Sequence, residues 1–216
     1  IASGNVPDLC EVGSTWMPRL LESGALADWT AGTAGLRAQL RGWELCTVGE
    51  TVYGLPWVLG TRALFWNKAL FARAGLDTTR APETWAELLA AATAIQKLGG
   101  GVHGYGVQAG ERYILFKKFM PYAWGNGGRI LSDDENTAVF DSPENRAALE
   151  FYLKLKDAGV MERQDQLDRA FKEGTLGAQI SGAWLLKSIP RDAPTLRYGV
   201  ALVPRPDAER GTHASF

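Results

Sequence analysis

The sequence predicts an α/β layered fold, because amphipathic helical segments alternate with short apolar extended segments along the chain. The clearest helix begins at Thr84, where Glu87 completes a capping box, and apolar residues recur at helical spacing as far as Gly99. A second helix begins at Ser142, which is followed by a proline in the first turn. It ends before Gly159. Both helices are interpreted as structural.

The extended segments precede these two helices. Residues 7–12 predict a short buried strand, and residues 13–15 predict a turn into a helix over residues 17–21. Residues 52–56 and 63–66 predict two further extended runs.

Three connections complete the predicted order. Residues 57–62 are a candidate crossover, and residues 68–74 predict a helix that Gly75 ends. The polar turn at residues 133–136, between apolar runs, predicts a hairpin. The glycine-rich residues 99–104 follow a helix and precede a strand, so they predict a connection and not a phosphate loop.

Charge and composition exclude several classes of partner. The 216 residues carry 23 Lys plus Arg and 24 Asp plus Glu, with the two signs mixed, so no nucleic-acid partner is expected. Apolar runs are too short to span a bilayer, and the first four residues have none of the features of a signal peptide. The two cysteines, Cys10 and Cys46, are compatible with a disulfide and equally with two free thiols.

Catalytic and metal-binding patterns are not found. His103 and His213 lie far apart, neither stands at a metal-ligand spacing, and no Gly-x-Ser-x-Gly motif is present. The acidic turn at residues 133–136 lacks the ligand spacing of an EF-hand. We therefore expect no catalytic residue, no metal and no cofactor, although a carboxylate pair for glycoside hydrolysis stays open because its separation is spatial.

The eight tryptophans give the first indication of a ligand. Flat aromatic rings suit the apolar faces of sugars, and four tryptophans lie near glycine or in predicted turns: Trp16, Trp57, Trp124 and Trp184. The other four are expected in the core or at its boundary: Trp29, Trp43, Trp66 and Trp85.

A longer pattern around Trp184 resembles a known family. Residues 171–184 are similar to the F-x-x-G-x-x-A-x-x-x-x-G-x-W segment of family 1 extracellular solute-binding proteins, the maltose-binding-protein-like group, with Gly177 at the alanine position. Further segments resemble the same family in the same order: residues 6–9 with 13–16, 52–57, 61–68, 82–88, 124–128 and 141–145. The order of these segments is more specific than any one of them.

The resemblance implies a periplasmic-binding-protein-like (type II) fold of two lobes, with one nearly whole lobe and part of the other in this chain. It places residues 1–57 in the first lobe, 58–62 in a hinge crossover and 63–211 in the second lobe. Residues 212–216 would start the return crossover, so both ends of a complete receptor are expected to lie outside the chain.

The resemblance also implies a ligand site between the lobes. Trp184 and Trp57 are expected to stack on a sugar, and the turn at Gly13 to Trp16 would contact it from one side. The other expected ligand-binding residues are Ser14, Thr15, Trp16, Gly60, Arg62, Tyr113, Trp124 and Asn126. Gly60 stands where many relatives carry an acidic residue, which makes the ligand class an open question.

Several of these residues have a second interpretation. Arg62 is also a candidate for a hinge salt bridge, Tyr113 for a core ring, Asn126 for a turn and Trp16 for a cap on the first-lobe core. Arg62 with the amides of Ser14 and Thr15 is also compatible with a phosphate ester such as a glycerol phosphate.

The resemblance implies a function without catalysis: the substrate-binding component of an ABC importer, which captures a carbohydrate and delivers it to a membrane permease and ATPase. A carbohydrate-active hydrolase is the enzyme alternative. The implied location is periplasmic, or extracellular and membrane-anchored. The isolated fragment is also expected to self-associate through exposed apolar surface.

Overall fold

The computed structural model describes residues 7–209 and 211–215. The chain divides into two compact units, Ile1–Leu59 and Gly60–Phe216, which are described separately below. The division falls inside the segment 58–62 that the sequence predicts as a crossover. Residue 6 of the resembling segments lies outside the described residues, as do the four N-terminal residues in which no signal peptide was found.

Unit 1 consists of short helical turns and one small hairpin. The helical elements are a 3-10 turn at Ser14–Trp16, helix α1 at Met17–Glu22, helix α2 at Thr30–Thr33, and 3-10 turns at Ala34–Leu36 and Trp43–Leu45. Strands β1 (Thr47–Val48) and β2 (Thr51–Val52) pair antiparallel. Gly49 has a φ of 60°, the left-handed conformation that a tight hairpin turn requires.

Three predictions for unit 1 change. The predicted strand over residues 7–12 is wrong: these residues pair with no described strand, and Leu9 is 75% exposed. A strand needs a neighbour for its backbone hydrogen bonds, and none is available here. The extended run 52–56 contributes only its first residue to β2. Trp29, expected in the core or at its boundary, is 40% exposed.

Unit 2 is built on one five-stranded mixed sheet. Its strands are β3 (Arg62–Asn67), β4 (His103–Gln108), β5 (Gly159–Glu162), β6 (Leu176–Gly182) and β7 (Tyr198–Ala201). They lie in the order β5-β4-β6-β3-β7. Strand β4 pairs parallel with β5 and β6, whereas β3 pairs antiparallel with β6 and β7. The prediction of an extended run at residues 63–66 is confirmed.

Helices cover the two faces of this sheet. They are α3 (Lys68–Arg73), α4 (Trp85–Gln96), α5 (Arg112–Gly125), α6 (Pro143–Asp157), α7 (Gln164–Lys172) and α8 (Ala183–Asp192). Alternation along β3 sends Leu64 and Trp66 into a core with α4, α5 and α6, and Phe65 into a second core with α7 and α8. The predicted layered α/β fold is confirmed.

The local start and stop signals of the predicted helices are also confirmed. The side chain of Thr84 accepts a hydrogen bond from the amide of Glu87, whose carboxylate accepts in return. The side chain of Ser142 caps α6 by accepting a hydrogen bond from the amide of Asn145. Gly75, with a φ of 72°, follows α3, whose first turn is capped by the side chain of Asn67. The caps at Thr84 and Ser142 depend on residues close in sequence, which is why the sequence predicts them. The Asn67 cap was not predicted.

The predicted hairpin over residues 129–140 is smaller than expected. It reduces to one antiparallel bridge between Leu131 and Ala138 around the polar turn. Within the turn, Asp134 accepts hydrogen bonds from Ser132 and Asn136. Asp134 is therefore bonded to its own loop, and Asp133 forms an ion pair with Arg129.

An apolar groove lies between α5 and α6 beside β5. Its lining includes Leu115, Phe119, Phe140, Leu149 and Leu153. Of these, Phe140, Leu149 and Leu153 are 46 to 49% exposed. Exposed apolar surface of this kind favours association. Self-association of the isolated chain stays a prediction.

Candidate functional site

The site is centred on Trp184, the second residue of α8. Strand β6 ends at Gly182 and α8 begins at the next residue. A Cβ at position 182 would overlap the six-membered ring of the indole. The indole therefore lies across the bare backbone of Gly182, which only glycine permits. Trp184 remains 43% exposed, so part of its ring is available to a ligand.

A carboxylate from α7 fixes the indole. Asp168 Oδ2 accepts a hydrogen bond of 2.7 Å from Trp184 Nε1. Its Oδ1 accepts three more, from Gln164 Nε2 at 2.8 Å, Gln179 Nε2 at 3.0 Å and Ser181 Oγ at 3.0 Å. Gln164, Gln179 and Ser181 are buried. Four donors on one carboxylate hold the ring in one orientation, because each bond to a charged acceptor is stronger than a neutral one.

Two cations lie close to the same ring. The guanidinium carbon of Arg62, at the start of β3, is 4.8 Å from the centroid of Trp184. The ammonium nitrogen of Lys118, from α5, is 5.4 Å from it. Both separations lie within the range of cation–π attraction. Lys118 is 2% exposed and donates to the carbonyl oxygen of Ile180 at 2.7 Å.

Burial changes the acidity of both cations. It lowers the pKa of Lys118 to about 7, and the positive charges of Arg62 and Lys117 act in the same direction, while Asp168 opposes them. Burial also lowers the pKa of Arg62. Arg62 Nε is buried without a hydrogen-bond partner among the described residues. Burial therefore makes both basic groups less basic, and the net charge of the site depends on whether Lys118 is protonated.

The other predicted residues of unit 2 lie on or just after α5. Tyr113 is 46% exposed, with Lys117 Nζ 4.4 Å from its ring centroid, so the core-ring interpretation is wrong. Trp124 is half-buried and packs against the larger core. Asn126 ends α5 and its side-chain amide donates to the carbonyl of Glu144 at 2.8 Å, which is the turn interpretation. Direct ligand contacts by these three stay predictions.

The predicted residues of unit 1 are exposed. Ser14, Thr15 and Trp16 form a 3-10 turn, and Trp16 is 63% exposed, so no core-cap role is seen for it in this unit. Trp57 is 68% exposed. Gly60, the first residue of unit 2, lies near Arg62, whose Nη1 would be 3.7 Å from a Cβ at that position. No salt bridge to Arg62 is found among residues 7–209 and 211–215, so the hinge ion-pair interpretation is unsupported within that part of the chain.

Sequence reasoning missed Lys118 and Asp168. Lys118 shares a helix face with Leu115 and Tyr122, three and four residues away, and a lysine inside an apolar stripe is a signal of functional burial. Asp168 directly follows the buried Leu167 and lies one turn before the buried Phe171. Recognising either signal required knowing that α5 and α7 exist.

Removing the charge of Asp168 tests how the ring is held. In Asp168→Asn the side-chain amide keeps one acceptor oxygen, but its NH₂ group replaces the other. At least one of the four groups that donate to Asp168 is then left without an acceptor. We expect the free energy of unfolding to fall by about 1–3 kcal/mol in urea denaturation. Asp165→Asn, on the same helix but exposed, is the control and should change it little. If the free energy of unfolding fell equally in the two variants, the hydrogen bonds to Asp168 would contribute no specific stability.

Metal ligation and membrane spanning find no support in the described part of the chain. It contains no group of three or more His, Cys, Asp or Glu side chains arranged to hold an ion. Among the same residues, no helix has the length and apolarity needed to cross a bilayer. Cys10 is exposed and Cys46 half-buried, and both are free thiols.

Three known proteins are similar to this chain over nearly its whole length. A protein of Brucella abortus (strain 2308) named as a binding protein is 32% identical over 99% of this chain and 53% of its own. A Thermotoga lettingae ABC transporter solute-binding protein, solved with α-D-tagatose, superposes with a TM-score of 0.80 at 33% identity, over 93% of this chain and 53% of its own. The cyclic α-maltosyl-1,6-maltose binding protein of Arthrobacter globiformis superposes with a TM-score of 0.77 at 30% sequence identity. The match covers 94% of this chain and 52% of that protein.

The chain spans about half the length of these relatives. The structural matches confirm the type II periplasmic-binding-protein fold that the sequence resemblance implied. The family of bacterial extracellular solute-binding proteins matches residues 1–212, almost the entire chain. This chain therefore belongs to the bacterial extracellular solute-binding protein family.

Proposed function

We propose that this chain is part of the substrate-binding component of an ABC importer and that its ligand is a sugar or oligosaccharide. Membership of an extracellular solute-binding family supports capture outside the cytoplasmic membrane. Two similar structures belong to proteins whose ligands are sugars, α-D-tagatose and a cyclic maltosyl-maltose. Membrane anchoring and delivery to a permease and ATPase belong to the same proposal.

The observation that carries this proposal is the fixed and partly exposed indole of Trp184. A ring held by Asp168 loses little conformational entropy when a ligand stacks on it, so more of the stacking energy remains as affinity. The guanidinium of Arg62 lies over the same ring and offers N–H donors to hydroxyl oxygens. An aromatic wall with a few aimed polar groups is typical of small-molecule sites.

We further propose that the two compact units belong to two lobes, with unit 1 contributing to the first and unit 2 to the second. Under this assignment Ser14, Thr15, Trp16 and Trp57 would approach the ligand from the first lobe. Hinge motion of such lobes buries a ligand and is a common mode of closure. The proposed role is binding without turnover.

Replacing Trp184 tests the proposal. Calorimetric titration of the complete gene product with a panel of mono- and oligosaccharides, including tagatose and maltose, should identify a saturable ligand. Trp184→Ala should then weaken its binding about 10- to 100-fold, since buried aromatic anchors are worth about 2 kcal/mol or more. Trp29→Ala removes an indole of similar exposure, 40%, and is the matched control. Unchanged affinity in Trp184→Ala would refute the stacking role.

A further inference from the structure

We propose that the ligand carries an acidic group, a carboxylate or a phosphate ester, which Arg62 and Lys118 bind beside Trp184. This inference rests on the proposed function, because it specifies which sugars or polyols the same site takes. It depends on three features of unit 2. Two basic side chains converge on the Trp184 ring, these side chains make few hydrogen bonds of their own, and the neighbouring carboxylate of Asp168 already accepts four hydrogen bonds.

The first feature is the convergence of charge. Arg62 comes from β3 and Lys118 from α5, two elements distant in sequence, yet both cationic groups lie about 5 Å from the Trp184 ring centroid. Lys118 is 2% exposed, in contrast to the surface position usual for lysine. An isolated buried ammonium group is costly, so it either loses its proton, which the lowered pKa of Lys118 favours, or is compensated by an anion beside it.

The second feature is that these cations have few partners of their own. Neither forms a salt bridge within 4.0 Å in the described part of the chain. Lys118 uses one of its three donors on the Ile180 carbonyl oxygen. The one hydrogen bond found for the Arg62 side chain is 3.5 Å long, from Nη1 to the carbonyl oxygen of the adjacent Thr61, and its Nε has no partner among the described residues.

The third feature is the state of Asp168, the one acidic group that affects Lys118. Its two oxygens already accept four hydrogen bonds, from the Trp184 indole, two glutamines and a serine. The carboxylate therefore orients the ring through hydrogen bonds, and its negative charge also favours the protonated form of Lys118. Asp168 offsets one positive charge, that of Arg62, so the site becomes electropositive to the extent that Lys118 is protonated, and that field attracts an anionic ligand group. Gly60 adds no acidic side chain next to Arg62.

The ionisation of Lys118 is consistent with this role. With the pKa of Lys118 near 7, an anion placed beside it would favour the protonated form. Burial opposes that protonation most, Arg62 and Lys117 add to the opposition and Asp168 favours it, so a further negative charge from a ligand would shift the balance towards the protonated form. Affinity for an acidic ligand should consequently fall as the pH rises from 6 to 8.5, while affinity for a neutral analogue should not.

Matched ligand pairs in the complete gene product test the inference. Calorimetry would compare glucose with glucuronate and with glucose 6-phosphate, galactose with galacturonate, and glycerol with glycerol 3-phosphate. We expect the acidic member of at least one pair to bind about tenfold tighter or more, because charge-assisted hydrogen bonds are worth more than neutral ones. The carboxylate and phosphate arms distinguish the two kinds of acid.

Lys118→Met keeps an apolar stem of similar length and should abolish most of that preference, while Lys118→Arg should retain part of it. Lys154→Met makes the same exchange on the exposed surface of α6 and should leave the preference unchanged.

Equal or tighter binding of the neutral members in the wild-type protein would overturn the inference while the sugar-receptor function stands. Tight binding of glycerol 3-phosphate without any sugar would uphold the acidic site and overturn the sugar assignment. Silence across this panel and across the neutral mono- and oligosaccharides titrated for the proposed function would overturn both.

Discussion

Gly104→Ala is expected to lower the free energy of unfolding of unit 2 by about 3 kcal/mol or more. Gly104 lies in β4, near the centre of the sheet, beneath α4. A Cβ there would overlap the backbone carbonyl of Ala92 and lie 2.5 Å from the carbonyl oxygen of Ala158. Both obstacles are backbone atoms of packed elements and cannot rotate away, so α4 must move off the sheet.

Urea denaturation of the complete gene product, followed by far-ultraviolet circular dichroism, would measure this loss. Gly60→Ala is the matched control, since it makes the same exchange in unit 2 at a position where the new Cβ is 3.7 Å from the nearest group, Arg62 Nη1. We expect the control to remain within about 0.5 kcal/mol of wild type. A Gly104→Ala protein as stable as the control would show that α4 packs less closely on β4 than described.

The same glycine explains part of what the sequence could not predict. Helices α4 and α6 were recognisable because their caps, Thr84 and Ser142, act within three residues. Strand β4 contains Gly104 and Gly106, which weaken any local preference for a strand. Their purpose is tertiary: a side chain at Gly106 would crowd Leu167 and Leu176, which are far away in sequence.

Helix α5 was missed for a related reason. Pro121 lies inside it and is normally a helix-ending signal, and apolar residues lie on all its sides because it is packed between the sheet and α6. Predicting Tyr113, Trp124 and Asn126 as site residues from resemblance did not require the helix. Predicting Lys118 did require the helix, because Lys118 is buried by lying on the side of α5 that faces β6.

The candidate site shows the same division between local and distant information. Trp184 and Arg62 were predicted because the segments that contain them resemble family motifs. Asp168 was not, since its importance comes from the Trp184 indole on α8 and from glutamine and serine donors on β6, all brought together by the fold. Sequence motifs identified the residues proposed to face a ligand, and the fold revealed a group that orients the Trp184 indole.

The second large effect concerns Lys118 and the pH dependence of stability. Burial lowers its pKa from 10.5 to about 7 in the folded protein. Between these two values the unfolded chain binds a proton that the folded chain does not, so unfolding takes up a proton and its free energy rises with pH. The rise is at most about 1.4 kcal/mol per pH unit. We expect roughly 2–3 kcal/mol of added stability between pH 7 and pH 9 from this one residue.

Lys118→Met separates this contribution from the others. The variant lacks the ionisable group. Its free energy of unfolding in urea should therefore rise by roughly 2–3 kcal/mol less between pH 7 and pH 9 than that of the wild type. Cys46, whose pKa is raised by burial, titrates in both proteins and cancels in the difference. Lys154→Met should reproduce the wild-type slope. Identical slopes in wild type and Lys118→Met would mean that Lys118 stays protonated in the fold, held by an anion or water that neutralises the cost of its burial. The same comparison repeated with a saturating acidic ligand should flatten the wild-type slope, because the ligand restores the proton to Lys118.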